Sequence, residues 1–228
     1  MDGRPNTQVT ICICTPDLDA YSETFIRAHI RHLPAVGAVL FGSFPIACES
    51  TGRPLLPLPG RVLYRFRNRL PRPANALAAR LADFSLARFL RTRKISVVLA
   101  EYGTTRVALV NACSSARIPL VVHFHGFDAY RTDVITGNDG YRGLFAKAAA
   151  VIAVAREMQA RLVDLGCPFE KVHYVPYGVD TSLFRPSSQR LAEPVFLAVG
   201  RFVEKKAPTG PSWHFARSCR SFLGRASG

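Results

Sequence analysis

Acidic side chains are scarce in this chain: 16 Asp and Glu stand against 30 Lys and Arg in 228 residues, a formal charge of +14. Long apolar runs are missing too. No stretch of about 18 apolar residues occurs, so no membrane-spanning helix is expected. The start, MDGRPNTQ, lacks the apolar core of a secretory signal. Six cysteines are present, at positions 12, 14, 48, 113, 167 and 219, but no pair sits at zinc-ligand spacing. His123 and His125 alone do not complete a zinc set, so no metal is expected. Zinc-finger, RNA-binding-strand and clear helix-turn-helix patterns are absent, which argues against nucleic acid as the partner of the positive charge. A reducing cytoplasm is the expected location, with peripheral contact at the inner membrane as the membrane option.

What is present suits a folded enzyme-sized unit. Hydrophobic residues make up 48% of the chain, too many for a disordered one. The excess charge is concentrated: between Arg61 and Lys94 there are nine arginines and one lysine against a single acid, Asp83. That clustering points to a face, and such a field attracts anionic lipid or a phosphorylated substrate. Leu70 to Leu90 mixes apolar positions with arginines as an interfacial helix would. A merely solvated arginine-rich face is the plain alternative.

Short apolar strands alternate with helical patterns. Strands are expected at Val9 to Cys14, Val36 to Phe41, Ile95 to Leu99, Ile118 to Phe124, Val151 to Val154 and Val172 to Val175. Helices are expected after Ser22, over Ala74 to Leu90, from Thr104 or Thr105 to Ala116, around Tyr141 to Ala148, and over Arg156 to Leu165. Thr51 to Gly60 and the stretch holding Asp133 and Asn138 read as irregular connections. The alternation predicts an α/β fold, a Rossmann-like parallel sheet flanked by helices. Residues 1–185 form the expected domain and 186–194 a polar linker. Residues 195–228 begin something new with the strand Val195 to Val199, then lose periodicity.

The organising stretch is Ile118 to Arg131, IPLVVHFHGFDAYR. Its apolar run suits a buried strand, and His123, His125, Gly126 and Asp128 follow at the carboxyl end, where open α/β sheets bind ligands. His123 lies on the strand face opposite Phe124 and is expected to pack against a helix, which leaves His125 as the better site candidate. Glu101 and Tyr102 end the preceding strand; they either line a pocket or start the next helix. Asp128 either contacts a ligand or orients its loop. Ser22 reads as a helix N-cap, and Asp180 as a turn-holder.

Four stretches in order resemble the retaining glycosyltransferases of family 4: Tyr21 to Ile26 (YSETFI), His123 to Asp128 (HFHGFD), Ala150 to Asp180 with its VPYGVD turn, and Val199 to Lys206 (VGRFVEKK). The likeness covers about residues 9 to 207. It implies half of a two-domain glycosyltransferase B fold, with a nucleotide-sugar as co-substrate, no cofactor, and a glycan or lipid-linked acceptor for cell-surface polysaccharide or lipopolysaccharide. By that similarity His125 contacts the transferred sugar. Ser22, with Glu101, Tyr102 and Asp128, lies on the acceptor side, while Arg201 and Lys206 grip the donor diphosphate. The 22 residues after Lys206 contain no glutamate, although the family continues there with a glutamate-bearing donor domain. The expectation is therefore a truncated or frameshifted chain that is inactive in transfer. The alternative is an acceptor-domain binding module for a glycan or lipid.

Overall fold

In a computed structural model, the described residues are 9–18, 23–44, 47–69 and 71–182. The chain divides into two compact units, Met1–Gly178 and Val179–Gly228. The first unit runs β1 (Ile11–Thr15), α1 (Thr24–His32), β2 (Val36–Phe41), β3 (Cys48–Glu49), α2 (Leu58–Arg65), α3 (Arg72–Thr92), β4 (Val97–Glu101) and α4 (Arg106–Ala116). It continues with β5 (Leu120–Phe124), α5 (Gly126–Tyr130), α6 (Thr132–Gly137), α7 (Arg142–Lys147), β6 (Ala150–Ala153), α8 (Arg156–Asp164) and β7 (Val172–Tyr174). In the second unit, Asp180 accepts hydrogen bonds from the backbone and hydroxyl of Ser182, a turn of the kind expected for it.

Seven strands pair in the order β3-β2-β1-β4-β5-β6-β7, all parallel except the two-residue β3. This is the expected α/β, Rossmann-like sheet flanked by helices. The order reverses direction between β1 and β4, which makes the carboxyl edge there a topological switch point.

The sheet's two faces differ in content. Cys12, Cys14, Leu40, Val98, Ala100, Val122 and Phe124 belong to one large core cluster, which α3 and α4 help to close. α3 contributes Ala78, Ala82, Leu86 and Leu90, one residue per turn, so its backbone approaches closely. Full burial of a Leu or Phe contributes about 1.5–3 kcal/mol, and this face holds many. On the other face lie Ile13 and Leu99, then Glu101 and His123, which the register β4–β5 sets side by side.

Two segments read as irregular are in fact structured. Thr51 to Gly60 contains the start of α2, because Pro59 sits in the helix's first turn, where no amide donor is needed. The stretch after β5 folds into α5 and α6, helices too short for hydrophobic periodicity to reveal. The first strand also ends one residue later than expected, at Thr15. The first helix takes Glu23 at its cap position instead of Ser22. Ser22, Arg201 and Lys206, like the linker and the strand expected at Val195 to Val199, lie outside the described residues.

Candidate functional site

The strand ends at the switch point converge on one carboxylate. Glu101, the last residue of β4, is fully buried. Its Oε1 accepts from His29 Nδ1 at 2.7 Å, and its Oε2 from His123 Nδ1 at 3.1 Å and His125 Nε2 at 3.3 Å. Each imidazole comes from a different place: His29 from α1, His123 from inside β5, His125 from the turn into α5. Burial alone would raise the Glu101 pKa. The hydrogen bonds from His123, His125 and His29 outweigh it and hold the carboxyl well below the usual range. The hub is therefore an ionised carboxylate surrounded by donors.

His125 is set by two opposed partners. With Nε2–H donated to Glu101, its Nδ1 is left as an acceptor, and the Tyr177 hydroxyl donates to it. Burial pushes the His125 pKa down, Glu101 pulls it back up, and the nearby His123 and His29 push it down again; the net shift is downward. A neutral imidazole with its proton on Nε2 satisfies every bond in this arrangement. Phe25 of α1 packs on both rings, 4.4 Å from His125 and 4.9 Å from Tyr177 between centroids.

Asp128 holds the loop and does not face solvent. It is fully buried, and its two oxygens accept from the backbone amides of His125 at 2.7 Å and Gly103 at 2.6 Å. It thereby ties the end of β5 to the end of β4. Burial pushes its pKa up to about 7 against those bonds. Gly103 is required by close approach: a Cβ there would come within 2.5 Å of the Phe124 ring and 3.2 Å of Tyr141. Tyr102, at φ +82°, donates its hydroxyl to Glu23 at 2.6 Å.

Of the residues expected from sequence, the structure brings together His125, Glu101, Tyr102 and Asp128. Glu101 and Asp128 are wholly buried, so either could act on a ligand only through the groups it holds. His123 packs against α1, as its place opposite Phe124 implied, with its ring 5.2 Å from that of His29 and 6.4 Å from that of Phe25. It is also part of the hub, which was not anticipated. Sequence reasoning missed His29, Phe25 and Tyr177 as site residues. His29 follows Phe25 by one helical turn and Tyr177 sits in the VPYGVD motif, so both signals were there to be used.

His29, Glu101 and His123 place ligand atoms within 4.8 Å of one another, a spacing that could hold a metal ion. Here the carboxylate lies between the imidazoles, and the bonds from His29, His123 and His125 account for its oxygens. Among the described residues, His123 Nε2 and Glu23 Oε2 are buried without a partner. The site thus retains unspent hydrogen-bonding capacity.

A model of Glycosyltransferase Family 4 matches residues 8–183, most of the chain. The chain belongs to Glycosyltransferase Family 4. The amylovoran biosynthesis glycosyltransferase AmsK of Erwinia amylovora is 32% identical over 89 residues, which cover 38% of this chain and 22% of that protein. A putative colanic acid biosynthesis glycosyltransferase, WcaL of Escherichia coli K12, is 28% identical over 118 residues, 50% of this chain and 29% of that one. The matched stretches thus span less than a third of either relative. Anabaena Alr3699/HepE, solved in complex with UDP, is similar in fold: TM-score 0.51 at 16% identity, covering 79% of this chain and 47% of that one. The family-4 domain in this chain therefore has the glycosyltransferase-B-like architecture, and His125 stands just past the carboxyl end of β5.

Proposed function

We propose that this family-4 domain serves retaining transfer of a sugar from a nucleotide-sugar to a glycan or lipid-linked acceptor in cell-surface polysaccharide assembly. One observation carries the reading: His125, neutral and fixed by Glu101, presents Nδ1 as an acceptor at the switch-point edge, where it meets the displaceable Tyr177 hydroxyl beside the Asp128 amide of the α5 capping box. A sugar hydroxyl donates to Nδ1 in place of Tyr177, while Glu101 keeps the proton on Nε2. The arrangement favours a polyhydroxylated ligand over an anion, because Glu101 is ionised beneath the rings.

As the glycosidic bond breaks, negative charge grows on the departing diphosphate, and fixed cations stabilise it. Arg201 and Lys206 fill that role in the proposal, Arg by its bidentate fork and Lys as a point charge. By the family resemblance, Ser22 is the acceptor-side residue of the proposal. HepE's complex with UDP supports a nucleotide-sugar as donor. The relatives' names, amylovoran and colanic acid biosynthesis, support a polysaccharide product. A second reading rests on the family match ending at residue 183, before Arg201 and Lys206: the domain binds an acceptor glycan or lipid and transfers nothing.

The test offers the purified 228-residue chain a panel of nucleotide-sugars with lipid-linked acceptors, and follows donor binding and product. Transfer with retained anomeric configuration, lost in His125→Ala, supports the proposal and overturns the expectation that this chain is inactive. Acceptor binding without donor binding supports the second reading, and binding of neither contradicts both.

A further inference from the structure

The hub draws on none of the arginines that dominate the chain's charge, and those arginines are ordered on the surface. While α3 buries Ala78, Ala82, Leu86 and Leu90, its outer side exposes Leu77, Leu81 and Phe84, at 56%, 45% and 57%. Spacings of four and three residues place them in one stripe. Arg88 continues that stripe and Arg80 and Arg91 flank it, all exposed. α2 repeats the pattern, with Leu58, Val62 and the following Phe66 exposed beside Arg65. The nearest acid in sequence, Asp83, accepts a hydrogen bond from Asn111 at 3.1 Å.

The stripe is a ridge between two hollows of about 590 and 710 Å³. Leu81 and Phe84 border both. Arg88 and Arg93 line one hollow, and Arg80, Arg91 and Lys147 the other. Singly exposed leucines are ordinary, but apolar side chains exposed along two successive helices, with arginines beside them, are not.

We propose that the α2–α3 face seats on an anionic lipid bilayer. Leu77, Leu81 and Phe84 enter the boundary between headgroups and acyl chains, and Arg80, Arg88 and Arg91 meet the headgroup phosphates. Nucleic acid is the weaker fit, because it would pair the arginines yet give the aliphatic stripe nothing to enter. Charge supplies about fivefold in affinity per arginine near an anionic surface, and the buried apolar area supplies the rest. The proposal rests on this surface alone, so it stands or falls separately from sugar transfer.

The experiment is co-sedimentation of the 228-residue chain with vesicles of phosphatidylglycerol and phosphatidylcholine, with pure phosphatidylcholine vesicles and single-stranded RNA as comparisons. The chain is expected to bind the anionic vesicles and not the neutral ones. Arg80→Gln with Arg91→Gln weakens binding by about 25-fold, fivefold per charge. Leu81→Gln with Phe84→Gln weakens it on the order of tenfold or more. Arg156→Gln, on α8, removes one charge and leaves binding within about twofold, where one charge lost beside the stripe costs about fivefold. Circular dichroism of each variant confirms folding, since every substituted position is exposed. Failure to bind anionic vesicles overturns the proposal. So does an unchanged affinity in the apolar variant, which would mean adsorption by charge only, an equal loss in Arg156→Gln, or tighter retention on RNA than on vesicles.

Discussion

Val122 and Phe124 on one side of β5, and His123 and His125 on the other side and beyond its end, belong to one short stretch of chain and are buried to almost the same degree. Phe124 meets Tyr141 edge-on, 5.0 Å between ring centroids, and Phe145 at 5.9 Å. Nothing in those contacts depends on a proton. The hydrogen bonds of His125 to Glu101 and Tyr177 do. Solvent exposure therefore does not separate the packing face of this sheet from its chemical face; the hydrogen-bond inventory does, since one face is satisfied by shape and the other by the ionisation of Glu101.

The comparison can be broken most forcefully on the packing face. Phe124→Ala should cost about 3–5 kcal/mol, measured by urea denaturation, with a deficit that stays flat with pH. On the chemical face, Glu101→Gln replaces a charged acceptor shared by three imidazoles and should cost about 1.5–3 kcal/mol. Its deficit should vary with pH, and a flat one would mean that Glu101 is no more than packing. Gly103→Ala drives a methyl into Phe124 and should cost about 1–3 kcal/mol by the same measurement.

The pH profile sharpens the contrast further. His125 is held below its ordinary 6.5, so its contribution is present above that value and is lost as pH falls through the folded pKa. Glu101, also held low, contributes above its unfolded value and loses that contribution at still lower pH. Asp128 has the opposite sign. Raised to about 7, it stabilises fully below its unfolded value and loses that contribution as pH rises through about 7. Asp128→Asn should therefore lower stability and make the loss on acidification from pH 7 to 4 steeper, followed by denaturation at several pH values. The smallest expected effect is Tyr177→Phe, which removes one half-exposed hydroxyl at a cost of about 0.5–1 kcal/mol and frees His125 Nδ1.

The sheet was legible in the sequence because its strands are short β-branched runs bounded by Gly, Pro and polar residues, and β2 fell on its expected residues. Packing of Cys12 and Cys14 followed from their alternation; both are fully buried. Less legible were β3, α5 and α6, each too short to repeat its period. His125 was found because it directly follows the apolar strand β5. Glu101 was found as a strand-end residue, but its place beneath three imidazoles needed β4–β5 register and the position of α1, neither of which one sequence gives. Tyr177 was marked by the VPYGVD motif, but its bond was not legible, since 52 residues separate it from the ring it bonds.

The arrangement of protons on His125 is the claim on which the site rests, and nitrogen-15 NMR of the imidazoles reads it directly. The account predicts a neutral ring at pH 7 with the proton on Nε2, a nitrogen Nδ1 whose shift changes in Tyr177→Phe, and loss of that tautomer preference in Glu101→Gln. A charged His125 at pH 7, or a proton on Nδ1 in the unaltered chain, would contradict it.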